Sequence, residues 1–276
     1  MIGVGDQSPP RSTYIMDLLY RVEDQERIVH AVQRGGDLFE IEGDLFEGYQ
    51  AGAPVPGGLL SVRVLAPVVP TKIVAVGLNY RDHAAEQGKA LPAEPLIFIK
   101  PSTAVIGPGD PIRLPPGAGR VDHEAEVGVV IKRRAYHVPA ARALEYVLGV
   151  TCVNDVTARD IQRRENQYTR PKGFDTFAPV GPAVAVGLDP SALDVEGLVN
   201  GTVRQRSSTR QLIFPVPQLV AFISAVMTLL PGDIIATGTP AGIGPLVPGD
   251  VVTVRVSGVG ELVNPVVEGF PQPPAS

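Results

Sequence analysis

Residues 122–132, DHEAEVGVVIK, place two glutamates two positions apart. Read as a strand, the segment sends Glu124 and Glu126 to one face and Ala125, Val127, Val129 and Ile131 to the other. Two converging carboxylates repel each other and lose hydration, a conflict that a bound divalent ion removes. An edge strand with a solvated acidic face has the same spacing. Downstream, GVTCVND carries a β-like run to Asp155, and VTARDIQRREN reads as a helix entered near Thr157. Asp155 is therefore placed either as a third oxygen ligand or as a helix cap or Asx turn. Three carboxylates without thiolates or paired histidines select Mg²⁺ or Mn²⁺ before Zn²⁺, with Ca²⁺ also compatible.

A second polar constellation is GLNYRDHAAEQG, residues 77–88. If 81–87 form one short helix, His83 and Glu86 at i and i+3 share a face, so the carboxylate can orient the imidazole or share a water with it. Gly77 and Gly88 are candidate hinges of a lid; the plainer alternative is a surface His–Glu pair. Arg159 and Gln162, again at i and i+3, can face an anion. Lys172, in RPKGFDTFAPVGP, reads on its own as a solvated loop lysine. The run TGTPAGIG, which includes Thr239, contains Gly-x-Gly but leads into Pro245 and a strand. A backbone loop approaching a small ligand fits it better than a dinucleotide site.

The elements that position these groups are short. Of 276 residues, 30 are Gly and 28 are Pro, so long helices cannot dominate. No G-X-Y period accompanies them, and 44% of residues are hydrophobic, which excludes collagen and points to a turn-rich globular chain. Three P-G-D tripeptides, beginning at Pro108, Pro231 and Pro248, suit type II turns, and each precedes a β-rich run. Helices are expected at 81–87, 139–146, 158–166 and 217–230. In the last, Leu219, Phe222, Ile223, Val226 and Leu230 form an apolar stripe. The expected organisation is a loose leader at 1–13, a small N-terminal β domain at 14–68, a larger domain at 69–269 and a Pro-rich tail at 270–276.

With 24 basic against 29 acidic residues, net −5, and no Lys/Arg-rich run, nucleic acid is a poor partner. Cys152 is the only cysteine, so neither an intrachain disulfide nor a thiolate zinc cage can form. The first residues lack a signal-peptide pattern. The most apolar segment, 219–230, is far short of the roughly 20 residues that span a bilayer. A soluble cytoplasmic protein without a membrane partner is expected.

Taken in order, GLNYRDHAAE, EPLIFIKPSTAVIGPGDPI, VDHEAEVGVVI, GVTCVNDVTARDIQ, KGFDTFAPVGP and PGDIIATGTPAGIG resemble the fumarylacetoacetate hydrolase family over about residues 71–267. The resemblance implies an α+β, mainly β fold: a rolled, mixed β-sandwich preceded by a small β domain and usually paired into a homodimer. It implies that Glu124, Glu126 and Asp155 bind Mg²⁺ or Mn²⁺, that His83 and Glu86 form a dyad on a closing lid with Lys172 as a further catalytic group, and that Arg159, Gln162 and Thr239 line the substrate pocket. Tyr168, where Trp is frequent, Pro171, where Ala is usual, and Ser208, often Asn, depart from the pattern and bear on side-pocket shape. The implied substrate is a small 2-oxo acid. Hydrolysis of an acylpyruvate or fumarylpyruvate is favoured; decarboxylation of oxaloacetate or isomerisation of an oxo-dioate is the alternative, and a non-catalytic oxo-acid-binding module the remaining one.

Overall fold

The computed structural model describes residues 16–269, so the leader at 1–13 and the tail at 270–276 lie outside the described residues. The fold is mostly β, and its main sheet has twelve strands. Four strands, Asp17–Asp24, Arg27–Arg34, Asp37–Asp44 and Gly48–Pro54, make an antiparallel meander at one end. The first of them pairs antiparallel with Ala178–Val186, joining the meander to the sheet that carries the acidic residues.

Beyond that junction the order continues through Val147–Asn154, Ala125–Ile131, Ile234–Ala236, Lys72–Gly77 and Leu96–Pro101. Ala125–Ile131 is thus an inner strand, hydrogen-bonded on both sides, and all seven of its residues are buried. Burial on both faces explains its near-continuous Val and Ile content. The alternation survives as a division between two cores. Val127, Val129 and Ile131 join Val74, Val76 and Val150 on one side. Val130 joins Ile73, Ala75 and Ile234 on the other. A five-stranded sheet covers the first side, contributing Val195, Val254, Val256 and Leu262, which gives the expected sandwich. The sheets are mixed, since Ile234–Ala236 runs parallel to Lys72–Gly77 and Gly260–Glu268 parallel to Ile112–Leu114.

The helices are short, as the Gly and Pro content requires. They span Arg81–Glu86, Arg159–Arg164, Thr169–Lys172 and Val216–Val226, with a 3₁₀ segment at Ala140–Tyr146. The longest buries Val216, Leu219, Val220 and Ile223, a stripe shifted from the expected one. The helix ends at Val226 and Met227 is extended, so Val226 and Leu230 turn outwards. No helix among the described residues is long and apolar enough to cross a membrane.

The three P-G-D turns share one construction. Gly109, Gly232 and Gly249 have φ of 79°, 86° and 95°, the backbone a type II turn needs at its third position. In each turn the Asp carboxylate accepts the N–H three residues earlier: Gly107 to Asp110 at 2.9 Å, Leu230 to Asp233 at 2.9 Å and Val247 to Asp250 at 2.8 Å. Asp233, fully buried, also accepts from both the backbone N–H and the hydroxyl of Thr71, and from the backbone and ammonium of Lys72. This fixes the parallel pair that leads from one side into the helix Arg81–Glu86 and from the other into TGTPAGIG.

Candidate active site

Glu124 lies where Val121–His123 passes into Ala125–Ile131, and Asp155 immediately follows Val147–Asn154. The junction is tied by the Asp155 N–H to the Glu124 carbonyl at 2.9 Å and by the Glu124 N–H to Asn154 Oδ1 at 3.0 Å. Carboxylate atoms of Glu124, Glu126 and Asp155 all lie within 4.8 Å of one another, and all three residues are buried. A solvated acidic edge is therefore ruled out, because the strand is inner and its acids face a closed interior.

Cations meet two of these acids and leave the third. The Lys172 ammonium donates to Glu124 Oε2 at 2.7 Å and Asp155 Oδ2 at 2.6 Å. The isolated reading of this lysine as a solvated loop residue fails, since Thr169–Lys172 folds it inwards and leaves it 3% exposed. Lys100, completely buried, donates to the other Asp155 oxygen at 2.6 Å and to the Val156 carbonyl at 3.2 Å. Arg159 divides its guanidinium among Glu124 Oε1 at 2.5 Å, Gln162 Oε1 at 2.6 Å and Asp122 Oδ2 at 3.0 Å. Among the described residues, the Glu126 carboxylate accepts only the Gly238 N–H, at 2.8 Å.

The titration of the acids follows from this arrangement. Burial alone would raise Glu124, but the charges of Lys172 and Arg159 outweigh it and hold the carboxyl at about 2. Burial, reinforced by the charges of Asp155 and Glu124, pushes Glu126 well above the usual carboxylate range. Burial lowers Lys100, whereas the charges of Asp155 and Glu124 overcome burial and raise Lys172. A hard divalent cation fits this set: every donor is an oxygen, and the acid that lacks a charged partner is the one whose ionisation it would compensate.

The helix Arg81–Glu86 forms the opposite wall. His83 Nδ1 is 2.9 Å from Glu86 Oε2, and Gln87 Nε2 is 2.7 Å from His83 Nε2. The amide nitrogen can only donate, so this contact assigns the Nδ1–H tautomer with Nε2 as acceptor. Glu86 Oε1 accepts the Gly242 N–H at 3.1 Å, joining the helix to TGTPAGIG. Asn79 anchors the helix base through Phe214 and the Thr237 carbonyl. Of the residues flanking the helix, Gly88 takes φ 62°, and on the other side Leu78 rather than Gly77 adopts the left-handed backbone, at φ 44°.

One cavity of about 240 Å³ is lined by His83, Glu124, Glu126, Asp155, Arg159, Gln162, Lys172 and Thr239, with Glu86 behind the imidazole. Thr239 donates to the Ala125 carbonyl at 3.0 Å and accepts from Gln205 at 2.7 Å. Sequence reasoning missed Lys100, Asp122, Gln87 and Gln205. Lys100 lies within an apolar run, LIFIKP, where a single charge is a signal of a buried partner. Gln205, on an otherwise exposed strand, carried none.

A family profile described as Fumarylacetoacetate (FAA) hydrolase C-terminal matches residues 72–267. The mitochondrial oxaloacetate tautomerase Fahd2a of Rattus norvegicus is 43% identical over 218 residues, covering 75% of this chain and 70% of that protein. The 2-hydroxyhepta-2,4-diene-1,7-dioate isomerase of Mycobacterium marinum superposes with a TM-score of 0.85 at 43% identity, over 91% of this chain and 98% of the other. Maleylpyruvate hydrolase from Sphingobium sp. SYK-6, solved with manganese(II) and pyruvate, gives 0.76 at 31% identity, over 92% and 100%. The chain belongs to the fumarylacetoacetate hydrolase family and is an enzyme of it.

Proposed function

We propose that this enzyme cleaves a C–C bond in a small 2,4-diketo acid of the acylpyruvate or fumarylpyruvate type, with Glu124, Glu126 and Asp155 holding Mg²⁺ or Mn²⁺. The observation that carries this reading is the convergence, in one cavity, of the buried acidic cluster with Lys172 and the His83–Glu86 pair. When bound, the cation supplies Lewis-acid stabilisation of the negative charge that develops on the 2-oxo oxygen. Arg159 and Gln162 orient the substrate's 1-carboxylate. His83, its Nδ1–H held by Glu86, accepts at Nε2 a proton from water as the hydroxide adds to the distal carbonyl. Gln87 releases that nitrogen as the water arrives. The bond between C3 and the distal carbonyl carbon then breaks, its electron pair moving into the pyruvate enolate. Lys172 donates a proton to C3, giving pyruvate and a carboxylic acid, and regains it from the proton His83 took from the water, since both side chains line the one cavity.

Tautomerisation or isomerisation of an oxo-dioate is the second reading. It is favoured by the tautomerase and the isomerase, each at 43% identity against 31% for the hydrolase. It shares the enolate and needs no water attack. Pyruvate release from acetylpyruvate and fumarylpyruvate, measured with each metal beside enol loss and CO₂ release from oxaloacetate, separates the readings. Glu124→Gln should abolish turnover of whichever substrate reacts. His83→Ala should remove hydrolysis more completely than decarboxylation; equal residual activities contradict water activation. The homodimer is part of the proposal, and light scattering checks it.

A further inference from the structure

The catalytic cavity shares a wall with a larger space. Leu96, Phe98 and Tyr168 line both the cavity of about 240 Å³ and an outer groove of about 720 Å³. The groove has no charged side chain in its lining, and Ile99, Val226 and Met227 make it largely apolar. Phe98 is fixed by the pairing of its strand, opposite Ala75. Tyr168 precedes the helix Thr169–Lys172, whose Lys172 N–H donates to the Tyr168 carbonyl at 3.2 Å. The two rings meet edge to face, centroids 5.3 Å apart and planes at 80°, a favoured geometry that holds both. Phe98 in turn lies 5.0 Å from the Lys172 ammonium, so the ring pair reaches the reacting end of the cavity.

We propose that Tyr168, braced by Phe98, is a specificity-determining residue: its ring ends the oxo-acid cavity and restricts the group beyond the diketo unit to a short chain. Truncating the ring joins cavity and groove, and a longer alkyl chain then finds an apolar surface in place of an aromatic wall. The inference rests on the 2-oxo acid reading of the site.

N-alkyl oxamates test it without turnover, because they carry a carboxylate beside a carbonyl oxygen and extend from there by a chosen chain. Titration calorimetry on the Mn²⁺-loaded full chain should show wild type binding N-ethyl oxamate more tightly than N-hexyl oxamate. In Tyr168→Ala the ratio of the two dissociation constants should move towards the hexyl compound by roughly tenfold or more, the effect of burying even two extra methylenes. Tyr168→Leu, which keeps more of the packing, should move it the same way, and Tyr168→Phe should keep the wild-type ratio. Ethyl binding with an unshifted ratio in both truncations overturns the wall. Failure of wild type to bind either oxamate overturns the 2-oxo acid reading and the wall with it.

Discussion

Glu126 is the carboxyl on which proton and metal compete most directly. Its folded value is raised, so its contribution to the metal-free fold is full below the unfolded carboxyl range and is lost as pH rises through the folded value. Metal binding needs the ionised form and runs the other way, weakening as pH falls. Calorimetry of Mn²⁺ binding across falling pH, in buffers of different ionisation enthalpy, should show proton release that grows as pH falls towards the raised Glu126 value; no release at any pH contradicts this competition. Glu126→Gln removes the charge conflict and one ligand together. The metal-free variant should melt above metal-free wild type at alkaline pH, by about 3 °C for each 1 kcal/mol gained, while its Mn²⁺ affinity falls at least tenfold. Lys172 separates binding from chemistry in the opposite sense. Its ammonium occupies Glu124 Oε2 and Asp155 Oδ2, so Lys172→Met should bind Mn²⁺ more tightly, measured by electron paramagnetic resonance, and yet lose turnover.

Elements differ in how much depends on the same local motif. Asp233 and Asp250 both close a P-G-D turn through the N–H three residues back. Asp233 is buried and gathers Thr71 and Lys72 as well, whereas the Asp250 turn lies in exposed chain. Asp233→Ala strands the half-buried Lys72 ammonium and several N–H donors, and should cost about 3 kcal/mol. Asp250→Ala should cost about 1 kcal/mol. Chemical denaturation of both variants checks the difference, and equal losses would contradict the role given to burial. The same contrast explains the helix Val216–Val226. Periodicity placed Leu219 and Ile223 on its inner face but not Val216 and Val220, and its end depended on where the chain turns to pair Ala135 with Leu229.

At the scale of the whole molecule, the N-terminal meander completes the main sheet through Asp17–Asp24 on Ala178–Val186. Removing residues 1–68 would expose that strand's edge and uncover Val184, which packs with Leu19 and Val32. The shortened chain should aggregate or melt much lower than the full chain, as solubility and thermal scans would show; an unchanged melt contradicts this coupling. The mainly β class, the short helices and the turn chemistry of the P-G-D tripeptides were legible in the sequence because they depend on backbone preferences and local periodicity. The pairing of His83 with Glu86 was legible for the same reason, being three residues apart on one turn. What the local pattern left open was whether Glu124 and Glu126 face solvent or a buried cavity, and whether Lys172 is a loop charge. Those answers depend on long-range pairing: Ala125–Ile131 becomes an inner strand only because Ile234–Ala236 arrives from more than a hundred residues away. Likewise Lys100 meets Asp155 across 55 positions and Asp122 meets Arg159 across 37. By itself the sequence determined which groups were available and in what local geometry. Only the tertiary structure decided which of them are buried together, because desolvation and charge pairing act through space and carry no fixed spacing along the chain.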